Sequence, residues 1–459
     1  MVLCTIASQI YVNCLKIANF TLMKRVILLG VALFSIIAAQ AQSTRVYRSE
    51  FLTYDKREDA AVDKRSETLR YTDFAPVHID TSGGVAQFMQ KIEIDADMND
   101  YNLFFHVENV GAAYAIYINN RLVGEVEDPY TPSEFMVSSF LRQGVNDILL
   151  CVRESRTPQL QEGVERAEFK LFENSYLFAQ RRLSVRDFDI ILEPDSTRKF
   201  AQLKLDVIVA NDFNFEETIQ VGYDIYNPKG KLMEFSVNEL TLDGRSMDTL
   251  SFKPYIYHAY EFKWGEGQKP LYNVMLFIKR NGMLWEYIPL KVGFGKTEYR
   301  DGKFYRFDKA LNIREKRHFN ATADRQQTQK LIEQARVNGF NTLCPDYPQP
   351  MWFYDMCDKA GMFVIDCANI SSPTNNDNRA VGGTPANDPK LVDEYLERVK
   401  AMYYRSRNHS CIIGFALSGS DSGNGYNMYK AYQWLKSVEE RLPVFYPGAD
   451  GEWNTDSGL

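Results

Sequence analysis

Two stretches of the chain alternate apolar and polar residues with a period of two, which is typical of strands that bury one face. In the first stretch, "YAIYIN" alternates in this way and is followed by a turn at Asn119-Asn120 and by further short apolar runs. In the second stretch, "AQLKLDVIVAND" and "ETIQVGYDIYNPKGKLMEF" have the pattern of strands, with "NPKG" and "RNG" as hairpin turns. We therefore predict two antiparallel β-sandwiches, the first over residues 42–195 and the second, of immunoglobulin-like size, over residues 196–293.

The spacing of apolar residues changes near residue 300 from a period of two to a helical period. The segments "DRQQTQKLIEQARVNG", "PMWFYDMCDKAG" and "GYNMYKAYQWLKSVEER" have helical spacing, and a longer helix is predicted over "DPKLVDEYLERVKAMYYRSRN". Continuous apolar runs such as "MFVIDCAN" and "CIIGFALSG" separate these helices, as in strands that are buried on both faces. We therefore predict a parallel sheet covered by helices over residues 294–459. The long helix is expected to bury the face that carries Leu391, Tyr395, Val399 and Met402.

The amino terminus carries the pattern of an export signal that starts at an internal methionine. From Met23, a basic start is followed by an apolar run and by Ala39-Gln40-Ala41, which predicts cleavage before Gln42. We interpret residues 1–22 as a start-site artefact and residues 23–41 as a signal peptide. Because the apolar run is short for a membrane span, we expect an exported protein, periplasmic or secreted, with no span left after processing.

Charge and cysteine content narrow the classes of partner and site. The formal charge is −7 at pH 7, and removing residues 1–41 with their three basic side chains leaves −10, which disfavours nucleic acid as a partner. Five of the seven cysteines remain after processing, in no CxxC motif, and His is scarce, so the spacing predicts no metal site. We expect these cysteines to be buried thiols.

Several segments in a fixed order resemble glycoside hydrolase family 2, and its β-galactosidases in particular. They are "YAIYINNRLVGEVEDPYTPSEFMVSSFLRQGVNDILLCV", "VGFGKTEYRDGKFY", "DYPQPMWFYDMCDKAGMFVIDCANI" and "ERVKAMYYRSRNHSCIIGFALSGSDSGNGYNMYKAYQWLKS". The resemblance implies a jelly-roll sugar-binding domain, an immunoglobulin-like domain and a (β/α)8 TIM barrel, of which this chain would hold the N-terminal half. It also implies an oligosaccharide or glycoside as the ligand.

The resemblance also indicates where a catalytic acid/base would lie. Retaining glycosidases need two carboxyl groups about 5–5.5 Å apart, one as nucleophile and one as acid/base. The family's acid/base glutamate follows the fourth barrel strand, where this chain has "LSGSD". Alignment from the downstream helix places Asp421 at that position, whereas alignment from Asn408-His409 places Ser420 there. Since Asp is shorter than Glu by one C–C bond, about 1.5 Å, and such a displacement can cost roughly 10²-fold in rate, we interpret Asp421 as a degenerate acid/base.

Other family positions that contact substrate are only partly retained. Arg314 matches the arginine of the family's "RGVNRHE" run, His318 matches its histidine only loosely, and Asp346 replaces the histidine of "SHYP". The glutamate of the family's "DEAN" is Cys367 here, and the family's Glu-x-His metal ligands are not recognisable, so no metal and no other cofactor is predicted. The resemblance leaves five candidate substrate-binding residues: Arg314, Asp346, Asp366, Asn369 and Ser420.

The family's nucleophile follows the seventh barrel strand, and no counterpart of its motif occurs in this chain up to Leu459. We therefore expect the chain on its own to be impaired as a glycosidase acting on β-linked glycans. The alternative hypothesis is a catalytically inactive, secreted carbohydrate-binding protein, and a third is the poorly folding product of a degraded gene. A homo-oligomer and a separately encoded barrel half both stay open as partners.

Overall fold

The structure is a computed structural model that describes residues 44–62, 70–71, 75–80, 85–94, 98, 100–108, 110–160, 175–372, 378, 380–420, 422–449, 451–452 and 454–456. The predicted signal peptide and start-site segment lie outside the described residues. None of the helices in the described part of the chain combines the length and the apolar character needed to cross a bilayer.

The first sandwich consists of two five-stranded sheets that enclose one apolar core. The inward positions include Phe105, Ile116 and Leu150, none of which is exposed. The turn at Asn119-Asn120 has positive φ at both residues, as a two-residue hairpin with a right-handed twist requires. The strand orders are β1-β8-β5-β10-β2 and β3-β4-β9-β6-β7. Their bounds are β1 Arg45–Val46, β2 Arg70–Tyr71, β3 Ala75–Asp80, β4 Val85–Ile94, β5 Tyr101–Val107, β6 Ala113–Ile118, β7 Arg121–Val126, β8 Ser133–Met136, β9 Gly144–Arg153 and β10 Tyr176–Arg181, with helix α1 at Arg57–Ala61.

The second sandwich packs a sheet of order β11-β12-β15, with β16 beside β12, on a sheet of order β14-β13-β17-β18. Its first strand begins at Leu183, only one residue after β10 ends, and pairs with β12. The domain boundary predicted at 195/196 therefore falls at the end of a strand that already belongs to this sandwich. No loop marks the change of domain in the sequence. The bounds are β11 Leu183–Pro194, β12 Ala201–Asn211, β13 Glu217–Tyr226, β14 Leu232–Leu242, β15 Ser246–Phe252, β16 Tyr255–Ile256, β17 Leu271–Arg280 and β18 Met283–Gly293.

A small three-stranded sheet links the second sandwich to the helical region. Its strands are β19 Thr297–Arg300, β20 Lys303–Arg306 and β21 Lys309–Leu311. The guanidinium of Arg306 is buried and donates to the carbonyl of Trp264 and to Oγ1 of Thr297. Burial lowers the pKa of Arg306 to about 10. A Cβ at Gly295, where φ is +154°, would lie 2.1 Å from Nη2 of Arg306, so only glycine fits beside this side chain.

The C-terminal region forms a five-stranded parallel sheet of order β22-β23-β24-β25-β26 covered by helices. Tyr395, Val399 and Met402 of the long helix are fully buried, as its periodicity predicts, and Leu391 packs partly buried against the same core. The predicted fold class, a jelly-roll sandwich, an immunoglobulin-like sandwich and a partial TIM barrel, is confirmed. The bounds are β22 Glu315–Arg317, β23 Thr342–Cys344, β24 Phe363–Cys367, β25 Ile412–Ala416, β26 Val444–Phe445, α2 Arg325–Val337, α3 Met351–Ala360, α4 Val392–Ser406 and α5 Tyr426–Val438.

The outer edge of β26 is covered by a short segment that follows it in the chain. The backbone N–H of Asp456 donates to the carbonyl of Val444, and Oδ2 of Asp456 accepts from the N–H of Val444, both at 2.8 Å. The same carboxylate accepts hydrogen bonds from Lys436 and Tyr432 on α5. Asp456 therefore joins the last described strand of the sheet to the helix that precedes it.

Candidate functional site

A cavity of about 980 Å³, open to solvent, lies at the carboxyl ends of the five parallel strands. The floor is formed by inward-facing residues of β24, β25 and β26, and polar side chains from the ends of β22, β23 and β25 surround the opening. The carboxyl ends of barrel strands are where barrel enzymes bind their substrates. The residues that line this cavity include Glu315, Arg317, His318, Cys344, Asp346, Ile365, Cys367, Ala416, Ser418, Gly419, Phe445 and Tyr446.

An imidazole and a carboxylate are paired at the mouth of this cavity. Nδ1 of His318 lies 2.6 Å from Oδ1 of Asp346, and Oδ2 of Asp346 accepts from Nδ2 of Asn320 at 2.7 Å. The backbone N–H of Asp346 donates to Oδ1 of Asn320, so the carboxylate is held on two sides. The side chain of His318 is 62% exposed and its φ is +54°, a conformation that non-glycine residues seldom adopt. Asp346 thus fixes the imidazole through Nδ1, and among the described residues the other ring nitrogen has no hydrogen-bond partner and can meet a ligand.

A second polar group inside the cavity is formed by β22 and β23. Arg317 donates through Nε to Oε1 of Glu315 at 2.6 Å, and Sγ of Cys344 lies 3.7 Å from Oε2 of the same carboxylate. Burial, together with the nearby carboxylate, raises the pKa of the Cys344 thiol to about 12. Cys344 is therefore a protonated thiol donor and not a nucleophile.

Hydroxyl groups form the end of β25 and the loop that follows it. Oγ of Ser418 lies 2.6 Å from the carbonyl of Ile370 and 2.9 Å from Oγ of Ser422. Ser420, the alternative acid/base position, has its Oγ 3.4 Å from Oγ of Ser371 at the end of β24. Asp421 lies outside the described residues, so its role as a degenerate acid/base stays a prediction.

Asp366 points away from the cavity, into the layer between the sheet and the helices. It accepts from the hydroxyl of Tyr354 on α3 at 2.8 Å, and neither of these residues is exposed. Burial raises the pKa of Asp366 to about 6. The structure therefore places this candidate where it ties a helix to the sheet, without contact to the opening.

Asn369 joins the barrel region to the first sandwich. Its Nδ2 donates to Oδ1 of Asp128 at 2.5 Å, and its carbonyl accepts from Nη1 of Arg398 at 2.7 Å. All three residues are buried, and Asp128 also accepts from the N–H groups of Tyr130 and Thr131. Asp128 thus holds its own loop against the barrel region. In that loop, Tyr130 stacks on Tyr347, the residue after Asp346, with ring centroids 4.7 Å apart.

Arg314 is the one substrate-binding candidate at the opposite edge of the sheet. It precedes β22, and its backbone N–H and carbonyl both bond to Asn341. In a parallel sheet, the residue before a strand lies at the amino edge. The structure therefore brings Asp346 and Ser420 to the carboxyl edge and leaves the exposed Arg314 away from them.

Asp358, near the end of α3, lies close to His409 and Cys411, which directly precede β25 and so lie at the amino edge of the sheet. Oδ1 of Asp358 accepts from the N–H of Cys411 at 2.7 Å, and Oδ2 lies 2.8 Å from Nδ1 of His409. Burial raises the pKa of the Cys411 thiol well above its ordinary value. The carboxylate and the imidazole already satisfy each other, so this grouping is a link between α3 and β25.

Comparison with known families identifies the chain. A model described as "Glycosyl hydrolases family 2, sugar binding domain" matches residues 63–170, and one described as "Glycosyl hydrolases family 2, TIM barrel domain" matches residues 315–457. Together they cover more than half of the chain. The chain belongs to glycoside hydrolase family 2. The cavity described above lies within the part of this family 2 chain that the barrel model matches.

Relatives of this family 2 chain are longer than it is. The β-galactosidase of Streptococcus thermophilus is 28% identical over 392 residues, which cover 80% of this chain and 36% of that protein. The β-galactosidase of Priestia megaterium is 24% identical over 395 residues, covering 82% and 37% respectively. The chain therefore spans little more than a third of the length of these relatives.

Solved structures agree with the family 2 fold. Bacteroides uniformis β-glucuronidase 2, covalently bound to cyclophellitol-6-carboxylate aziridine, superposes with a TM-score of 0.64 at 18% identity over 79% of this chain and 46% of its own. A putative β-galactosidase from Bacteroides fragilis gives a TM-score of 0.66 at 17% identity, covering 82% and 58%. At these identities the likeness concerns the fold alone.

The resemblance to family 2 would imply a magnesium site near the acid/base position. Among the described residues, the ends of β24 and β25 present the hydroxyls of Ser371, Ser418 and Ser420 there. Magnesium is bound through carboxylates and water in most proteins. The described side chains at this place therefore do not fit that site.

Sequence reasoning missed the Asp128–Asn369–Arg398 contact and the Tyr130–Tyr347 stack. Asp128 and Tyr130 lie in "EDPYTPSEF", a segment that resembles family 2, but their partners are more than 200 positions away. The pairing of His318 with Asp346 was also missed. Its signal was present, since both residues follow consecutive parallel strands and so meet at one edge.

Proposed function

We propose that this family 2 chain binds β-linked glycosides, β-galactosides above all, in the cavity at the barrel mouth and takes part in their hydrolysis. The observation that carries the proposal is the His318–Asp346 pair, fixed by Asn320 and facing an open cavity at the carboxyl ends of the strands. The names of the curated relatives, which are β-galactosidases, support the choice of sugar.

The chemistry of the cavity suits a sugar. Sugar hydroxyls donate and accept hydrogen bonds, and the free nitrogen of the His318 imidazole and the Glu315–Arg317 pair offer both kinds of partner. Ile365 and Phe445 form part of the floor and provide apolar contact. A few polar groups around an apolar floor are typical of small-molecule sites.

Hydrolysis assigns the acid/base role to Asp421. A second candidate function is sugar binding without turnover, and the specific observation that favours it is the cluster of neutral hydroxyls around Ser418 and Ser420 where the family has charged groups. Serine hydroxyls are too weakly acidic to protonate a leaving group as a carboxylic acid does. Both candidate functions predict that the protein binds the glycoside. Only the first predicts that the glycosidic bond is hydrolysed.

The test measures binding and turnover on the same preparations. Calorimetry with methyl β-D-galactopyranoside is expected to show binding by the wild type, weakened at least tenfold in His318→Ala. Lys330→Ala is the matched control, because this exposed basic residue lies on α2, outside the lining of the cavity, and its loss is expected to leave binding unchanged. Absence of binding by the wild type rejects both candidate functions.

Release of 4-nitrophenol from its β-galactoside then separates the candidates. Release by the wild type and its loss in Asp421→Ala support hydrolysis. Binding without release supports the sugar-binding protein. Equal release by the wild type and Asp421→Ala contradicts the acid/base assignment.

We further propose that the protein is exported and starts at Gln42 after processing. The support is the basic start, apolar run and Ala39-Gln40-Ala41 that follow Met23. Expression in a Gram-negative host, with mass spectrometry of the periplasmic fraction and the medium, tests this. A cytoplasmic protein that retains residues 23–41 would contradict it.

A further inference from the structure

A second cleft lies outside the barrel mouth, between the second sandwich and the small sheet that follows it. Its open volume is about 840 Å³, comparable to the cavity at the barrel mouth. One wall is formed by the end of β11 and the start of β12, and the other by the ends of β19 and β20. Six lining residues carry the argument: Glu193, Arg198, Gln202, Lys204, Lys296 and Phe307.

The charged groups of this cleft are paired with one another. The carboxylate of Glu193 is 7% exposed, with Oε1 2.5 Å from Nζ of Lys204 and Oε2 3.7 Å from Nζ of Lys296. Arg198 forms an ion pair with Asp308 across the cleft. Each cation of the described lining therefore has an anionic partner, so an anionic ligand would have to break an ion pair to bind. A neutral ligand that is rich in hydroxyl groups can form hydrogen bonds with these charged groups while the ion pairs stay intact.

The two turns that form the rim hold residues in unusual backbone conformations. Arg198 has φ of +59°, and the two-residue turn between β20 and β21 has Phe307 at +48° and Asp308 at +63°. Asparagine and glycine are the common residues at such turn positions, and strained residues cluster at functional sites. Here the two turns bring Arg198 and Asp308 together as an ion pair, and the half-buried Phe307 lines the cleft beside them.

Exposed aromatic rings extend the same surface. Tyr255 lies opposite Gln202 in the β12–β16 ladder, so the two side chains are neighbours on one face. Tyr255 is 49% exposed and Tyr257 is 57% exposed, and the ring of Tyr257 packs edge-on against Phe200 with centroids 4.9 Å apart. Half-exposed tyrosines beside a polar cleft provide flat apolar faces next to hydrogen-bonding groups.

We propose that this cleft, with Tyr255 and Tyr257, is a second carbohydrate-binding surface that takes a neutral oligosaccharide. It is distinct from the barrel cavity, since it is built by β11, β12, β16 and the β19–β21 sheet. The amide of Gln202 donates to and accepts from sugar hydroxyls, the carboxylate of Glu193 accepts from them, and the tyrosine rings pack on the sugar faces. The inference goes beyond the proposed function, because it does not depend on where or whether a glycoside is cleaved.

The experiment is electrophoresis of the whole protein in native gels that contain soluble β-1,4-galactan, with gels lacking polysaccharide as reference. Four proteins are compared: the wild type, the double variant Tyr255→Ala/Tyr257→Ala, Gln202→Ala and Phe235→Ala. Phe235→Ala is the matched control, because this ring is 61% exposed in the same domain but lies on the other sheet. We expect at least tenfold weaker retardation in the double variant and in Gln202→Ala, and unchanged retardation in Phe235→Ala.

The other possible results each support or overturn the proposed binding of carbohydrate in this cleft. Equal retardation of the double variant and the wild type overturns the proposal, as does a wild type that is not retarded while it still binds methyl β-D-galactopyranoside by calorimetry. The second result would leave the proposed function intact. A third outcome is that galactan retards the wild type but not the tyrosine double variant, while calorimetry detects no binding of methyl β-D-galactopyranoside. That result would support carbohydrate binding in the cleft and would reject the proposed function of the barrel cavity. A gel with carboxymethylated β-1,4-galactan in place of galactan is expected to give weaker retardation, and stronger retardation there contradicts a neutral ligand.

Discussion

Glu286 makes the stability of the second sandwich depend on pH in a way that can be calculated. Its carboxyl is fully enclosed between β18 and the start of β11, accepting from the N–H of Val185 at 2.7 Å and from Nε2 of Gln180 at 3.1 Å. Burial outweighs these hydrogen bonds and raises the pKa of Glu286 from 4.5 to about 7. The folded state therefore binds a proton between these two values that the unfolded state has released.

The sign and the size of the effect follow from linkage. Because the folded pKa is the higher one, the stabilisation is complete below about pH 4.5 and is lost as the pH rises through about 7. A difference of this size corresponds to about 3 kcal/mol of unfolding free energy, of which about 2.5 kcal/mol falls between pH 5 and pH 8. Glu286→Gln removes the ionisable group, so this part of the pH dependence should vanish in the variant.

The assay is urea unfolding at pH 5 and pH 8, followed by tryptophan fluorescence, for the wild type and the variant. Trp285 is adjacent to Glu286 and donates to the carbonyl of Leu183, so its signal reports on this sandwich. Other buried carboxyls such as Asp366 contribute equally to both proteins and cancel in the double difference. An identical change between the two pH values in both proteins would refute the reasoning.

Three further substitutions test contacts described above. Asp128→Ala leaves the Arg398 guanidinium, 1% exposed, without its nearest carboxylate, and is expected to lower the unfolding free energy by about 3–5 kcal/mol in chemical denaturation. Gly295→Ala places a methyl group against the buried guanidinium of Arg306 and is expected to cost about 1–3 kcal/mol, measured as a lower Tm. Asp456→Ala removes the carboxylate that accepts from the N–H of Val444 and from α5, and is expected to cost about 1–3 kcal/mol, with faster exchange of the Val444 amide.

Matched variants make these expectations refutable. Asp128→Asn keeps the shape of the side chain, and a loss as large as that of Asp128→Ala would point to the charge as the cause. Gly230→Ala, at a hairpin with φ of +80° and open space around it, separates the cost of backbone strain from that of the clash at Gly295. A Gly295→Ala protein no less stable than Gly230→Ala contradicts the clash. Unchanged exchange in β26 contradicts the covering role of Asp456.

The sequence predicts most of the elements because their patterns are local. The apolar face of α4 and the hairpin turns "NPKG" and "RNG" are each encoded by residues a few positions apart. The structure contains this helix and both hairpins. The start of the second sandwich could not be located in this way, because only Arg182 separates β10 from β11 and no turn residue marks the change.

The candidate site was harder to predict, since it depends on direction and on distant partners. Asp366 follows the pattern of a strand end, but β24 is buried on both faces, so period-two alternation could not show that its side chain points to the helices. Asn369 lies two residues after the end of β24, and its partner Asp128 is 241 positions away in the sequence. The positions of strand ends are therefore predictable, and which side chains meet there is set by the packing of domains.

The segment around Asp456 has a consequence for anything that adds to the barrel sheet. Its N–H and carboxylate occupy the backbone groups of Val444 that a sixth strand would need. Such a strand, from whichever polypeptide, can pair with β26 only by exchange, after this segment has detached. The rate of docking would then level off at high concentration of the incoming strand, at the frequency with which a few residues open and close. Opening of the Asp456 segment would then limit the rate at which a further strand can pair with this edge of the sheet.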